Sequence, residues 1–119
     1  MLRLRDDAVA YFLCKLIPPR KSFIEDMTAE ERALMGEHAA YWAPYVEGGL
    51  VIAMGPVADP AGAYGVMIAD VASRASLGAL QASDPVIRAN RGFSFETFRM
   101  PALATTRLEP LQSVRSVTP

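Results

Sequence analysis

The apolar positions of this chain form four short runs that predict β-strands. The runs cover residues 11–17, 50–54, 64–71 and 93–100. They are rich in aromatic and branched side chains, most are bounded by proline or glycine, and the last alternates apolar with polar residues. Runs this short, with boundaries of this kind, favour strands over helices.

The segment between the first two runs predicts a long helix. Thr28 and Glu31 have the spacing of a capping box, in which each side chain bonds the backbone of the other residue. The composition stays helical to about residue 47, although Pro44 predicts a kink one turn earlier. Gly48 and Gly49 then end the helix.

A second helix is predicted after the third run. Ser73 is a suitable N-cap, and the helix should end near Ser83, because Asp84 precedes a proline and therefore avoids helical dihedral angles. The resulting order of elements is βαββαβ. This order predicts a ferredoxin-like α+β fold with an antiparallel sheet.

The first three strands are apolar at nearly every residue, on both sides of the pleat. The helices of a ferredoxin-like fold cover only one face of the sheet, so the other face needs a cover of its own. A second copy of the same sheet is the simplest cover. We therefore expect a homodimer whose two sheets pack face to face into an α+β barrel.

Length, charge and cysteine content narrow the class of protein. The 119 residues suffice for one domain, expected at residues 11–100, between an N-terminal extension (1–10) and a C-terminal tail (101–119). A net charge of −1 without a basic stripe argues against nucleic acid as a partner. No run reaches the roughly 18 apolar residues that span a bilayer. The single cysteine, Cys14, is expected to pack rather than react, and it predicts a reducing, cytoplasmic location.

His38 is the only histidine of the chain and lies within the first predicted helix. Imidazole accepts and releases protons near neutral pH, which makes it a candidate for acid–base chemistry. A buried imidazole needs a polar partner, and we take Asp84 as that partner: it would accept the Nδ1 proton and leave Nε2 to act as a general base. The alternative is structural, with His38 a satisfied core histidine and Asp84 only the cap of the turn before Pro85.

Further side chains are candidates for contacting a ligand. Tyr41 and Trp42 follow His38 by about one helical turn and combine large apolar rings with polar tips, as pocket walls often do. Tyr64 opens the third strand and could either point its hydroxyl into a cleft or pack at the sheet edge. Arg88 could hold an anion or lie in a solvated loop.

A metal site is not expected. One histidine is too few for a tight transition-metal site, and none of the acidic candidates Glu37, Asp59 and Asp84 has the i, i+4 spacing of paired helical ligands with it. The glycines follow no strand-to-helix turn and predict no phosphate-binding loop, and no serine has a nucleophile-elbow context. We therefore expect chemistry without a metal or a bound cofactor.

Several short motifs occur together in a set order. They are His38 followed by Tyr41 and Trp42, Gly48-Gly49-Leu50, Gly55-Pro56 with Asp59 and Gly62, and Asp84-Pro85. In this order and spacing the chain resembles the YCII-related (YciI-like) family of dimeric α+β barrel proteins. The resemblance implies paired βαββαβ subunits and a pocket with a histidine and an aspartate, proposed as catalytic, at positions that match His38 and Asp84. It also makes Asp59 a candidate for ligand binding.

Three functions are compatible with these residues. The first is a small-molecule enzyme in which the His38–Asp84 pair abstracts a proton, leading to elimination or isomerisation without a cofactor. The second is a non-catalytic ligand-binding or regulatory module that uses the same pocket. The third is a structural dimerisation domain. Loss of His38 separates them, because turnover falls by roughly a hundredfold or more only in the enzyme.

Overall fold

The computed structural model describes residues 2–4 and 10–106, and it confirms the ferredoxin-like α+β fold. Its strands are β1 (Leu2–Leu4), β2 (Ala10–Ile17), β3 (Val51–Val57), β4 (Tyr64–Val71), β5 (Ser94–Met100) and β6 (Ala102–Ala104). Four of them form one antiparallel sheet in the order β3-β4-β2-β5. With β4 and β2 at its centre, this is the strand order of a ferredoxin-like fold.

The helices are α1 (Phe23–Asp26), α2 (Ala29–Glu47), α3 (Arg74–Ala82) and α4 (Pro85–Arg88). The two predicted helices are confirmed as α2 and α3, whereas the single-turn helices α1 and α4 were not predicted. Strand β3 is also longer than predicted, since it continues through Gly55 and Pro56. An edge strand tolerates proline, because the missing N–H is not needed by a neighbour on that side.

Helix α2 is firmly anchored at its first turn. The capping box is present, with the Thr28 hydroxyl accepting from the Glu31 N–H at 3.1 Å and the Glu31 carboxylate accepting from the Thr28 N–H at 2.9 Å. Arg20 donates to both carboxylate oxygens of Glu31, at 2.7 and 2.8 Å. The helix runs through Pro44 and ends at the predicted glycine, with Gly48 as its C-cap.

The two faces of the sheet are differently covered. On one face, the sheet packs against α2 and α3 through a core formed by Phe12, Cys14, Trp42, Val51, Met67, Ala69, Val71 and Leu77. On the other, Leu13 stands between its register partners Ile68 and Phe98, so the three side chains form a row. Phe98 is 50% exposed. The second face therefore carries an apolar row and is at least partly open to solvent.

The predicted N-terminal extension and C-terminal tail are only partly described, since residues 1, 5–9 and 107–119 lie outside the described residues. Within the described part, β1 and β6 pair with each other in a separate antiparallel ribbon, with Leu2 opposite Ala104. In the described part of the chain, no helix is both long and apolar enough to cross a membrane.

Candidate functional site

His38 and Asp84 form a buried hydrogen-bonded pair. The imidazole Nδ1 lies 2.7 Å from Oδ2 of Asp84. His38 is 7% exposed and Asp84 is fully buried. Helix α2 supplies the histidine and the junction between α3 and α4 supplies the aspartate, 46 residues further along the chain. The fold thus brings together the two residues that the sequence predicts as partners.

Asp84 accepts three hydrogen bonds. Besides His38, the indole Nε1 of Trp42 donates to Oδ2 at 2.6 Å, and the backbone N–H of Val86 donates to Oδ1 at 3.0 Å. The bond from Val86 makes Asp84 the N-cap of α4. Asp84 therefore also caps the turn before Pro85, which is the structural role considered for it in the sequence analysis. Three donors suit an ionised carboxylate, which can only accept. The carboxylate is therefore held in one orientation.

The bond to Asp84 fixes the orientation of the His38 ring and assigns its tautomer. Because Nδ1 carries the proton that is donated to the carboxylate, Nε2 is the unprotonated acceptor of the neutral ring. Among the residues that the structure describes, Nε2 has no hydrogen-bond partner. The ring is thus arranged to accept a proton at Nε2.

His38 also lines a pocket of about 270 Å³ between α2 and the sheet. The sheet contributes Cys14, Leu16, Met54, Met67 and Phe95 to its walls, and the helical side contributes Phe23, Met27, Met35 and Ala39. Asp84 and Trp42 are not part of this lining. The imidazole therefore lies between the pocket and the buried carboxylate.

The predicted ligand-contacting aromatic residues are placed differently from one another. Tyr64 lines the pocket. Tyr41 is outside the lining and donates its hydroxyl to the backbone carbonyl of Leu80 at 2.7 Å, which ties α2 to α3. Trp42 is fully buried behind the pocket, against Asp84. Trp42 thus supports the His38–Asp84 pair and Tyr41 joins two helices, and neither side chain forms the pocket wall.

The two charged residues predicted to contact a ligand, Asp59 and Arg88, are exposed and outside the lining of this pocket. The Asp59 carboxylate accepts from the backbone N–H of Ala61 at 2.8 Å and so closes a turn between β3 and β4. Arg88 lies in the last turn of α4. Their contact with a ligand stays a prediction.

Cys14 lines the pocket but is almost completely buried. Burial raises the pKa of its thiol to about 11, against a weaker opposing effect of hydrogen bonds with Thr97 and Gln81. The Gln81 amide donates to Sγ at 3.5 Å and to the Thr97 hydroxyl at 3.0 Å. A thiol that stays protonated at neutral pH is a poor nucleophile, in agreement with the predicted packing role.

Part of the pocket wall was not foreseen from the sequence. Phe23 and Met27 precede the long predicted helix and lie in none of the predicted elements, yet Phe23 begins α1 and packs edge-on against Phe93, with ring centroids 5.3 Å apart. The apolar spacing at residues 23, 24 and 27 is that of one helical turn. Such a signal is too short to be recognised without knowing that a pocket lies beneath it.

The described side chains include no group of three or more histidine, cysteine, aspartate or glutamate residues placed to hold a metal ion.

Comparison with known proteins found a YCII-related domain over residues 12–101. Searches among curated proteins and among solved structures gave no match. The matched segment covers most of the four-stranded sheet and contains both His38 and Asp84. The chain therefore belongs to the YCII-related family.

Proposed function

We propose that the protein is a small-molecule enzyme in which His38 acts as a general base and Asp84 orients it. The observation that carries this proposal is the position of the imidazole, which bonds a buried carboxylate with one nitrogen and lines a pocket. A carboxylate behind an imidazole is the arrangement that selects the tautomer and stabilises the imidazolium in catalytic triads.

The proposed reaction begins when Nε2 of His38 takes a proton from a substrate held in the pocket. Positive charge then develops on the imidazole, where Asp84 stabilises it. Return of the proton to another atom of the substrate gives an isomerisation, whereas departure of a leaving group from the neighbouring carbon gives an elimination. The electron pair of the broken bond stays within the substrate and its leaving group, so the reaction is balanced without a cofactor.

The second candidate is a ligand-binding or regulatory module that uses the same pocket without turnover. The observation that favours it is the strongly apolar lining, in which His38 is the group best suited to proton transfer. Such a pocket binds well even when no chemistry follows. The two candidates differ only in whether His38 exchanges protons with the bound molecule.

Exchange of carbon-bound hydrogen with solvent deuterium tests the proposed function. 2-Tetralone is an uncharged bicyclic ketone with acidic hydrogens beside its carbonyl group, and proton NMR in D₂O follows their loss. We expect the protein to accelerate the exchange above an equal concentration of free imidazole, and His38→Gln to lower this acceleration by about a hundredfold or more. Tyr45→Phe, outside the pocket lining, is the matched control.

Each result of this experiment has a definite meaning. Equal exchange by the native protein and by His38→Gln would rule out His38 as the base. Saturable binding of the ketone without any exchange, together with weaker binding by the variant, would favour the ligand-binding module.

We further propose that two copies pair through the open face of the sheet, giving the α+β barrel. The row of Leu13, Ile68 and Phe98 supports this proposal, because an apolar row that runs across a sheet to an exposed phenylalanine is normally covered by a partner. The pocket lies on the opposite, helical side of the sheet. In such a dimer each protomer keeps its own complete His38–Asp84 pair.

A further inference from the structure

The lining of the pocket limits the charge of what it can bind. Methionine, phenylalanine, aliphatic and proline residues make up most of it, and the polar groups are the imidazole of His38, the thiol of Cys14 and Tyr64. No lysine or arginine is among the described residues that line it. A ligand carboxylate or phosphate would therefore be desolvated without a cation to pair with it, which is strongly unfavourable.

Arg20 lies near the pocket wall but is already paired. Its guanidinium carbon is 5.4 Å from the centre of the Phe23 ring, which lines the pocket. The guanidinium is bonded at 2.7 Å both to Asp26 and to Glu31, and these two bonds hold α1 against the start of α2. Two carboxylates thus neutralise this cation, and it is not available to a ligand.

Lys15 is also close in sequence to the pocket but leaves the sheet on the other side. It alternates with Cys14 and Leu16 along β2, and both of these neighbours line the pocket. The Lys15 ammonium lies 4.4 Å from the centre of the Tyr64 ring, in a cation–π contact. Lys15 is therefore outside the pocket lining, and its charge is engaged with the ring of Tyr64.

The buried carboxylate behind His38 further disfavours anions. With a neutral imidazole the His38–Asp84 pair carries one negative charge, and Asp84 is fully buried. An anionic ligand next to this pair would meet a like charge in a weakly screened environment. A group that donates a proton or a hydrogen bond to Nε2 meets no such penalty.

Methionine side chains give the apolar walls their adaptability. Met27, Met35, Met54 and Met67 approach the pocket from α2, the connection before it and two strands. Unbranched, polarisable thioether chains adjust to ligands of different outline. The walls therefore select for apolar character and volume more than for one exact shape.

We propose that the site takes an uncharged, mainly apolar small molecule that directs one weakly acidic or hydrogen-bond-donating group at His38, and that it rejects carboxylates and phosphates. This inference rests on the proposed function in one respect, namely that Nε2 of His38 accepts a proton or a hydrogen bond from the bound molecule. It goes beyond that function by naming the class of ligand.

Three fluorescent probes with one ring system test the ligand class: naphthalene, 2-naphthol and 2-naphthoate. At pH 7 the carboxyl group is ionised and the hydroxyl group is not. We expect the full chain to bind 2-naphthol at least tenfold more tightly than 2-naphthoate and several-fold more tightly than naphthalene. His38→Ala should bring the affinity for 2-naphthol down to that for naphthalene. Ala39→Phe, which fills part of the pocket, should weaken binding of all three probes.

Circular dichroism confirms that each variant is folded, and His38→Gln replaces His38→Ala if the smaller side chain does not fold. Equal or tighter binding of 2-naphthoate by the native protein would overturn the ligand class, as would failure of all three probes to bind. These measurements need no turnover. If the probes bind in the expected order but 2-tetralone does not exchange its hydrogens, the ligand class is supported and catalysis is rejected. If 2-tetralone exchanges but 2-naphthoate binds best, catalysis is supported and the ligand class is rejected.

Discussion

The indole Nε1 of Trp42 lies 2.6 Å from Oδ2 of Asp84, the same oxygen that accepts from the imidazole of His38. Residues four apart on a helix are neighbours on one face, so α2 presents two donors side by side to a single buried carboxylate. Without the indole, the carboxylate would be held by two donors instead of three and would be freer to turn. Trp42 is thus a positioning residue for the His38–Asp84 pair, although its ring is outside the pocket lining.

We expect Trp42→Phe to lower the free energy of unfolding by about 1–3 kcal/mol, because the ring still packs but Asp84 loses a buried donor. Urea denaturation followed by circular dichroism measures the loss. Combining the change with Asp84→Asn in a double-mutant cycle isolates the interaction of the two side chains, with an expected coupling of about 0.5 kcal/mol or more. Additive effects would show that the contact has no energetic weight.

Asp84→Asn should release His38 from its fixed tautomer, because an amide can donate to Nδ1 where the carboxylate could only accept. Nitrogen-correlated NMR of the imidazole distinguishes the two forms. The native ring should carry its proton on Nδ1 and the variant ring should move toward the Nε2–H form. Asp59→Asn is the control, since that exposed carboxylate bonds only the local backbone at Ala61. Identical spectra for native protein and Asp84→Asn would contradict the assigned tautomer.

The thiol of Cys14 should be unreactive in the folded protein. Burial raises its pKa to about 11, so very little thiolate is present at pH 8. Iodoacetamide should therefore alkylate the native protein far more slowly than the urea-unfolded chain, as mass spectrometry can follow. Similar rates in both states would mean that the thiol is accessible and readily ionised.

The same thiol should make stability fall at alkaline pH. Its folded pKa, about 11, lies above the ordinary value of 9.0, so the neutral thiol contributes stability that is complete below pH 9 and is lost as pH rises toward 11. Between about pH 8 and pH 10 the native protein should lose roughly 1 kcal/mol more unfolding free energy than Cys14→Ala. Parallel pH curves for the two proteins would exclude this contribution.

Glu31 should make the stability of the protein fall at acid pH. Hydrogen bonds from Arg20 and from the Thr28 backbone lower its pKa from 4.5 to about 2, so its contribution is present above pH 4.5 and is lost as pH falls toward 2. Thermal unfolding at acid pH should therefore show a smaller drop in Tm for Glu31→Gln than for the native protein. Glu30→Gln is the control, because Glu30 is exposed and only pairs with Arg91 at 3.2 Å.

A charge in the open face of the sheet should separate the proposed dimer. Phe98→Glu places a carboxylate in the apolar row, where burial against a partner is unfavourable. We expect sedimentation at micromolar concentration to give a dimer for the native protein and a monomer for the variant. Val46→Glu, at an exposed apolar position on α2 (40% exposed, against 50% for Phe98), should remain dimeric. A native monomer would refute the pairing, and a dimeric Phe98→Glu would move it to another surface.

The fold and the hydrogen-bonded pair of His38 and Asp84 could be predicted because few alternatives existed for either. Only one histidine is present, and an aspartate before proline ends a helix whatever else it does. The role of Trp42 could not be predicted, since helical periodicity assigns a face but not which neighbour lies opposite it. From the helix face that carries His38, the Trp42 indole could contact either the pocket or the Asp84 carboxylate. Only the structure shows that it contacts the carboxylate.

The pocket walls were harder to foresee for a different reason. Phe23 and Met27 lie in a connection with a single helical turn, and β3 passes through Gly55 and Pro56, which normally indicate the end of a strand. In both places tertiary packing overrides the local signal. The four-stranded sheet was predictable because its strands are long enough for their own pattern to dominate.

His38 belongs to the first βαβ half of the chain and Asp84 to the second, with the connection around Asp59 between them. A chain cut at this connection would leave His38 in one fragment and Asp84 in the other. The fixed imidazole tautomer would then return only when the fragments reassemble, so its NMR signal would measure their complementation. The same hydrogen bond that orients the imidazole of His38 thus also records whether the two halves of the fold are joined.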